Sequence, residues 1–230
     1  AFQIYFDFSG YSQIARGLAK LMGDHFRMNF NHPYLAVSMR DFWNRWHISL
    51  STWFRDYVYI PLGGNKRGNL RSHFNMWITM LLSGLWHGAA ITFVLWGAFH
   101  ALVLSVERLI GKLVRGKSNN KWLIARWGIT MFLVLIGWVL FRAATFEQFN
   151  IILRSMFAAD FNLQFLTGNF NLMVFIAMAL FYEGGYFITK RVSLISKETK
   201  PYFESIKFAL ILVCILFLRG PEQEFIYFQF

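Results

Sequence analysis

Along the chain, long apolar stretches alternate with short polar ones, and the spacing inside each stretch predicts its shape. Residues 1–22 are apolar, interrupted by glycine and carrying Asp7, Ser9 and Ser12. As a helix they rise about 33 Å, enough to cross a bilayer core. From Ser38 the pattern changes. Met39, Phe42, Trp43, Trp46, Leu50, Trp53, Phe54 and Tyr57 recur at three- and four-residue spacing, with Arg40, Asp41, Asn44, Arg45, Arg55 and Asp56 among the residues between them. This predicts one amphipathic helix over 39–60, with Ser38 as its N-cap and Asp41 at the third helical position. A Trp- and Phe-rich face opposite an arginine-bearing one suits a membrane interface, so the helix is expected to be interfacial or re-entrant rather than crossing. The following PLGGNKRGN, residues 61–69, is a turn-rich loop; no strand precedes it, so its glycines are not a nucleotide-binding fingerprint.

Between Asn75 and Val106 there is no Asp, Glu, Lys or Arg. The run is too long for one ordinary span, yet residues 75–86 alone rise only about 18 Å. Either one tilted helix continues through, or two pieces meet near His87; the basic 40–73 segment favours the second. Further spans are expected at 123–141, 170–188 and 205–218, the last short for a crossing. The fold class is therefore all-α, a polytopic membrane protein of transmembrane, interfacial and re-entrant helices.

Asn75, Thr79, Ser83 and His87 stand four residues apart and form one polar stripe on this uncharged run, expected to line a polar cavity. Gly84 and Gly88 make a small-xxx-small pair that admits a neighbouring helix closely. An ionisable side chain at membrane depth is costly and marks a functional site by default, although a hydrogen bond to a neighbouring helix would also retain His87. His47 lies at the border of the apolar face of the preceding segment and can look inward. Trp86, next to His87, and Trp43, on that apolar face, join Asn75, Thr79 and Ser83 as candidate substrate-lining residues.

Composition agrees with a membrane setting. Hydrophobic residues make up 56% of the chain and charged ones 15%, with mean hydropathy +0.39, against about 25% charged in a typical soluble domain. The net charge of +11 flanks apolar segments, as basic cytoplasmic loops do, and no nucleic-acid-binding module is present. Residues 108–126 and 190–207 are basic and expected inside, and 142–169 outside. The lone Cys214 sits in an apolar run and reads as packing. No metal is expected, since no two histidines share a three- or four-residue spacing and neither HExxH nor CxxC occurs. No GxSxG marks a hydrolase nucleophile. His25 and His32 carry no assigned chemistry, and His100, on an apolar helix with Trp96 and Phe99, reads as packed or hydrogen-bonded. On these residues alone, a transporter lined with polar residues or a non-catalytic membrane scaffold remains an alternative to an enzyme.

FDFSGYS at 6–12, DFWNRWHISLSTWFRDYVYIPLGG at 41–64, GLWHGAA at 84–90 and the terminal EFIYFQF closely resemble the membrane-bound O-acyltransferases, in the bacterial branch that includes the alginate O-acetyltransferase membrane subunits and the D-alanyl transfer proteins of teichoic acids. The resemblance extends over essentially the whole chain. It implies a catalytic histidine in the apolar segment, matching His87, and an Asn or His in the preceding motif, matching His47. It further implies transfer of acetyl, or another small acyl group, from a cytoplasmic thioester toward a periplasmic or cell-surface polysaccharide. Acetyl-CoA is the expected donor substrate, with no bound cofactor. The expected partners are membrane lipid, a periplasmic acyltransferase partner protein and the polymer acceptor, in a multi-pass protein of the bacterial inner membrane. Because members of the family carry further spans ahead of this region, residues 1–230 are expected to be the C-terminal portion of one such domain.

Overall fold

The computed structural model describes residues 1–113 and 122–158, with residues 173, 177 and 179–185 beyond them. Every regular element among them is helical. The spans expected at 170–188 and 205–218 fall largely or wholly outside the described residues, as does Cys214. The chain divides into two compact units, Ala1–Ala159 with Phe230 and Asp160–Gln229, and the description below concerns the first.

The first apolar stretch forms α1, Phe2–Leu21, as expected. After it comes an irregular connection containing a single 3-10 turn, Pro33–Leu35. The amphipathic segment begins where its cap predicts. In α2, Met39–Arg45, the Ser38 hydroxyl accepts from the Asp41 amide at 3.0 Å. A second tie comes from far along the chain: the Met39 amide donates to the Glu107 carboxylate at 2.7 Å.

The single helix over 39–60 is not what forms. Trp46 is extended, His47 is left-handed with φ 44°, and α3 occupies only Ile48–Phe54, followed by one π-helical turn over Arg55–Tyr59. The break is satisfied by another part of the chain. The Asn31 amide donates to the Arg45 carbonyl and the Ile48 amide to the Asn29 carbonyl, both at 2.9 Å. Backbone groups that a continuous helix would pair internally are thus taken by residues 29–31. The apolar face is divided accordingly. Met39, Phe42, Trp43, Trp46 and Phe54 are buried, whereas Trp53 and Tyr57 are exposed and pack on each other. The charges of the polar face pair locally, Arg45 with Asp41 at 2.8 Å and Arg55 with Asp56 at 2.7 Å.

The long uncharged run resolves into two pieces. α4, Gly68–His87, stops at His87, Gly88 adopts φ 156°, and α5 runs from Ile91 to Leu113. The two helices touch through glycine, but the pair differs from the expected one. A Cβ added at Gly84 would meet the Phe93 carbonyl, and one at Gly97 would meet the Met80 carbonyl. Gly84 and Gly97 therefore bring the backbones of α4 and α5 together. Gly88 lies beyond the end of α4 and faces the Phe93 ring instead. α6, Leu123–Arg142, matches the span expected at 123–141. α5 and α6 are long and apolar enough to cross a membrane, with mean hydropathies of 1.6 and 2.0. α7, Phe146–Ala158, follows.

Candidate functional site

An aromatic core holds these helices in register. Trp46 stacks on Phe42 and packs at 4.7 Å from Trp138 of α6; Trp138 in turn meets Phe141 at 5.8 Å. Offset and edge-to-face pairs of this kind contribute about 0.5–1.5 kcal/mol each beyond the area they bury. The Trp127 indole donates to the Tyr34 carbonyl at 2.8 Å, tying α6 to the turn ahead of α2.

Both candidate histidines sit where a helix breaks, against this core. His87 is the last residue of α4 and is half-buried; its ring meets Phe141 at 4.9 Å, Trp96 at 5.4 Å and Phe93 at 6.1 Å. His47 is the buried residue between α2 and α3, edge-on to Phe8 of α1 at 4.7 Å. Trp86 stands between the two, 6.3 Å from the ring of His47 and 5.0 Å from that of His87. Segments of opposite character in the sequence thus meet at one aromatic side chain. Burial, and secondarily the neighbouring His87, push the His47 pKa down to about 3, so its ring is neutral near pH 7.

The polar stripe does not act as one lining. Thr79 and Ser83 line a cavity of about 1480 Å³ between the α2–α3 segment and α4, α5 and α6, together with Trp43, Ser72, Arg108 and Arg126. His47 and Trp86 line a separate cavity of about 360 Å³ with Ser49, Leu50 and Trp53; Leu50 borders both. Asn75 and His87 line neither of these two. Asn75 is fully buried and its amide donates to the Gly64 carbonyl at 3.1 Å, clamping the PLGG turn onto α4. Nearby, Tyr59 and Ser72 both donate to Asn65, and Arg108 donates to Ser72 at 2.8 Å. The loop over 61–69 is therefore pinned to α4, which Arg108 ties in turn to α5.

The family model for the membrane-bound O-acyltransferases matches residues 1–147, which contain every element described above except α7, of which only the first two residues fall inside the match. The chain belongs to that family. Among relatives of this membrane-bound O-acyltransferase family member, the probable alginate O-acetylase AlgI of Pseudomonas fluorescens is 44% identical over 207 residues, covering 86% of this chain and 41% of the relative. The corresponding protein of Pseudomonas aeruginosa is 51% identical over 145 residues, 63% of this chain and 27% of the relative. The peptidoglycan O-acetyltransferase of Helicobacter pylori is 41% identical over 156 residues, 68% of this chain and 30% of its own length. The chain thus spans less than half the length of the relatives it matches.

Two residues that the sequence pattern did not single out matter at this site. Asn29, in the connection after α1, contacts the His47 ring, the Ser49 amide and the Ser49 hydroxyl through one oxygen. Trp96 of α5 packs edge-on between His87 and His100, at 5.4 and 4.6 Å. Trp96 obeys helical periodicity and could be found by following the apolar face of α5. Asn29 lies in irregular chain, where periodicity carries no signal. Among the described residues, no group of three or more His, Cys, Asp and Glu side chains could hold a metal.

Proposed function

We propose that the chain is the part of a membrane O-acyltransferase that carries its histidine centre, and that it moves an acetyl or similar small acyl group from a cytoplasmic thioester toward a hydroxyl of a periplasmic or cell-surface polysaccharide. One observation carries the reading: in a member of this family, the two histidines of its motifs lie at helix breaks on either side of Trp86. The names of the relatives support an acyl group and an envelope polymer as the substrate classes.

In this proposal, His87 is the general base. Its imidazole takes the hydroxyl proton as the acceptor oxygen bonds to the thioester carbonyl carbon. The tetrahedral intermediate then collapses, the C–S bond breaks, and the proton passes to the departing thiolate. Such a base contributes about 10²–10⁴-fold to the rate. His47 acts across Trp86, orienting the acceptor or polarising the carbonyl. Acetyl-CoA is the donor we favour, with a periplasmic partner protein completing delivery from a multi-pass protein of the inner membrane.

The test is acylation of the envelope polymer by cells carrying the full-length protein. His87→Ala and His47→Ala should each abolish it while membrane insertion is unchanged. The double variant should be scarcely worse than the worse single one, since residues that act as a unit are strongly non-additive. Substantial acylation by a stably inserted His87→Ala protein would exclude that residue as the base.

A further inference from the structure

Asn29 makes a set of contacts that a simple loop staple does not need. Its Oδ1 lies 3.1 Å from the Ser49 backbone nitrogen, 2.9 Å from the Ser49 hydroxyl and 3.2 Å from Nδ1 of His47. A backbone N–H can only donate, so the Asn29 atom facing it must be the carbonyl oxygen and not the amide nitrogen. The other end of the amide agrees, because Nδ2 has the Ser12 hydroxyl at 3.4 Å to receive it. With the amide orientation set, the ring nitrogen at 3.2 Å faces a pure acceptor. A bare nitrogen there would oppose two lone pairs; an N–H donates.

We infer that Asn29 is a positioning residue that holds His47 as the Nδ1–H tautomer, leaving Nε2 as an unprotonated acceptor on the side of the cavity shared with Trp86. The Ser49 hydroxyl fits this arrangement. It donates to Asn29 Oδ1 and lies 3.4 Å from Nδ1, where its oxygen receives part of the same N–H. No protein group among the described residues hydrogen-bonds Nε2, and His47 opens on the cavity of about 360 Å³. The consequence is chemical. An imidazole protonated at Nδ1 can accept a hydrogen bond or a proton at Nε2, but it cannot donate one there. His47 is thereby suited to holding an acceptor hydroxyl by its hydrogen and unsuited to polarising a carbonyl oxygen. This choice between the two roles proposed for His47 rests on the acyltransferase reading; the tautomer itself does not.

The experiment is ¹⁵N magnetic resonance of the full-length protein in lipid, with histidine labelled at both ring nitrogens and the His47 signals assigned by their loss in His47→Gln. The expected spectrum has a protonated Nδ1 and an unprotonated Nε2. In Asn29→Leu, which keeps the volume and removes the acceptor, the Nδ1–H form should lose its dominance and polymer acylation should fall at least tenfold. Asn29→Asp, which keeps an acceptor oxygen in place, should restore Nδ1–H and much of the activity. If Asn29→Leu fails to insert, the wild-type spectrum and the Asn29→Asp protein still decide. A wild-type His47 protonated at Nε2, or an Nδ1–H signal undisturbed in Asn29→Leu, overturns the inference. An Nδ1–H tautomer in a protein whose His47→Ala variant acylates normally would retain the tautomer and refute the role of His47 in transfer.

Discussion

Replacing Gly84 with alanine tests whether the α4–α5 contact sets the position of His87. A Cβ at residue 84 would press on the Phe93 carbonyl, with the carbonyl carbon at 3.1 Å and the Gly97 nitrogen at 3.3 Å. All of these are backbone atoms, so no side chain can swing away and the helices themselves must separate. Overpacking costs about 1–3 kcal/mol, and a rigid neighbour on every side places Gly84→Ala at the upper end, about 3 kcal/mol. For a chain of this size that corresponds to a fall in Tm of roughly 6–12 °C. The functional effect is separate. His87 is the next residue but two along α4, and its ring packs on Phe93 and Trp96 of α5. A displacement of about 1 Å at reacting groups can lower a rate by about 10²-fold. Thermal unfolding in detergent, read beside acylation of the polymer, measures both. Gly111→Ala is the comparison: it lies in α5 with nothing within 4 Å of an added Cβ, and should be neutral or stabilise by about 0.4–1 kcal/mol. If Gly84→Ala were as stable and active as Gly111→Ala, the close approach of the two backbones would be refuted.

Glu107→Ala removes the acceptor at the start of α2 and should destabilise by about 1.5–3 kcal/mol, with Glu107→Gln recovering part of it, both read by thermal unfolding. Asn75→Ala strands the Gly64 carbonyl and should cost about 1–3 kcal/mol, with faster proteolysis of the 61–67 turn as the local readout. His100→Ala is expected to leave the acyl-transfer chemistry intact but lower stability by about 2–4 kcal/mol. The ring is 2% exposed between Trp43 and Trp96, so its removal opens a cavity. It is a stability variant rather than a silent control, and its acylation has to be normalised to folded protein.

Much of the fold was legible because helices announce themselves by period and charge. The cap at Ser38 and the span over Leu123–Arg142 followed from local pattern, whereas the break near His87 was one of two alternatives, favoured only by the basic 40–73 segment. The break at Trp46–His47 was not legible, since the apolar spacing runs through it without interruption. It arises because residues 29–31, in irregular chain fourteen to nineteen residues earlier, capture the Arg45 carbonyl and the Ile48 amide. The same cause hid Asn29. The small-residue rule pointed to Gly84 correctly but not to Gly97, which answers it from a different helix. A spacing rule within one segment cannot see its partner. The stripe from Asn75 to His87 was a true feature of the helix, yet burial beneath Gly64 and the turn at Gly88 divided its members among three surroundings.

The left-handed backbone at His47 bears on how its role should be measured. With φ 44°, this residue occupies a conformation that costs an ordinary L-residue about 1–2 kcal/mol and that asparagine, with its short polar side chain, adopts more readily. His47→Ala therefore removes the imidazole and also leaves an ill-suited residue at the hinge between α2 and α3, so part of any loss of activity would be conformational. His47→Asn separates the two effects. It should be more stable than His47→Ala by about 1 kcal/mol in the same detergent unfolding assay, because the hinge keeps a residue tolerant of positive φ. If the ring serves as a proton acceptor, both variants should lose acylation alike despite that difference. If the position only supplies a hydrogen bond to the acceptor, the asparagine protein should retain a measurable fraction of the activity and the alanine protein none. Equal stability of the two variants would refute the conformational part of the argument, whatever their activities.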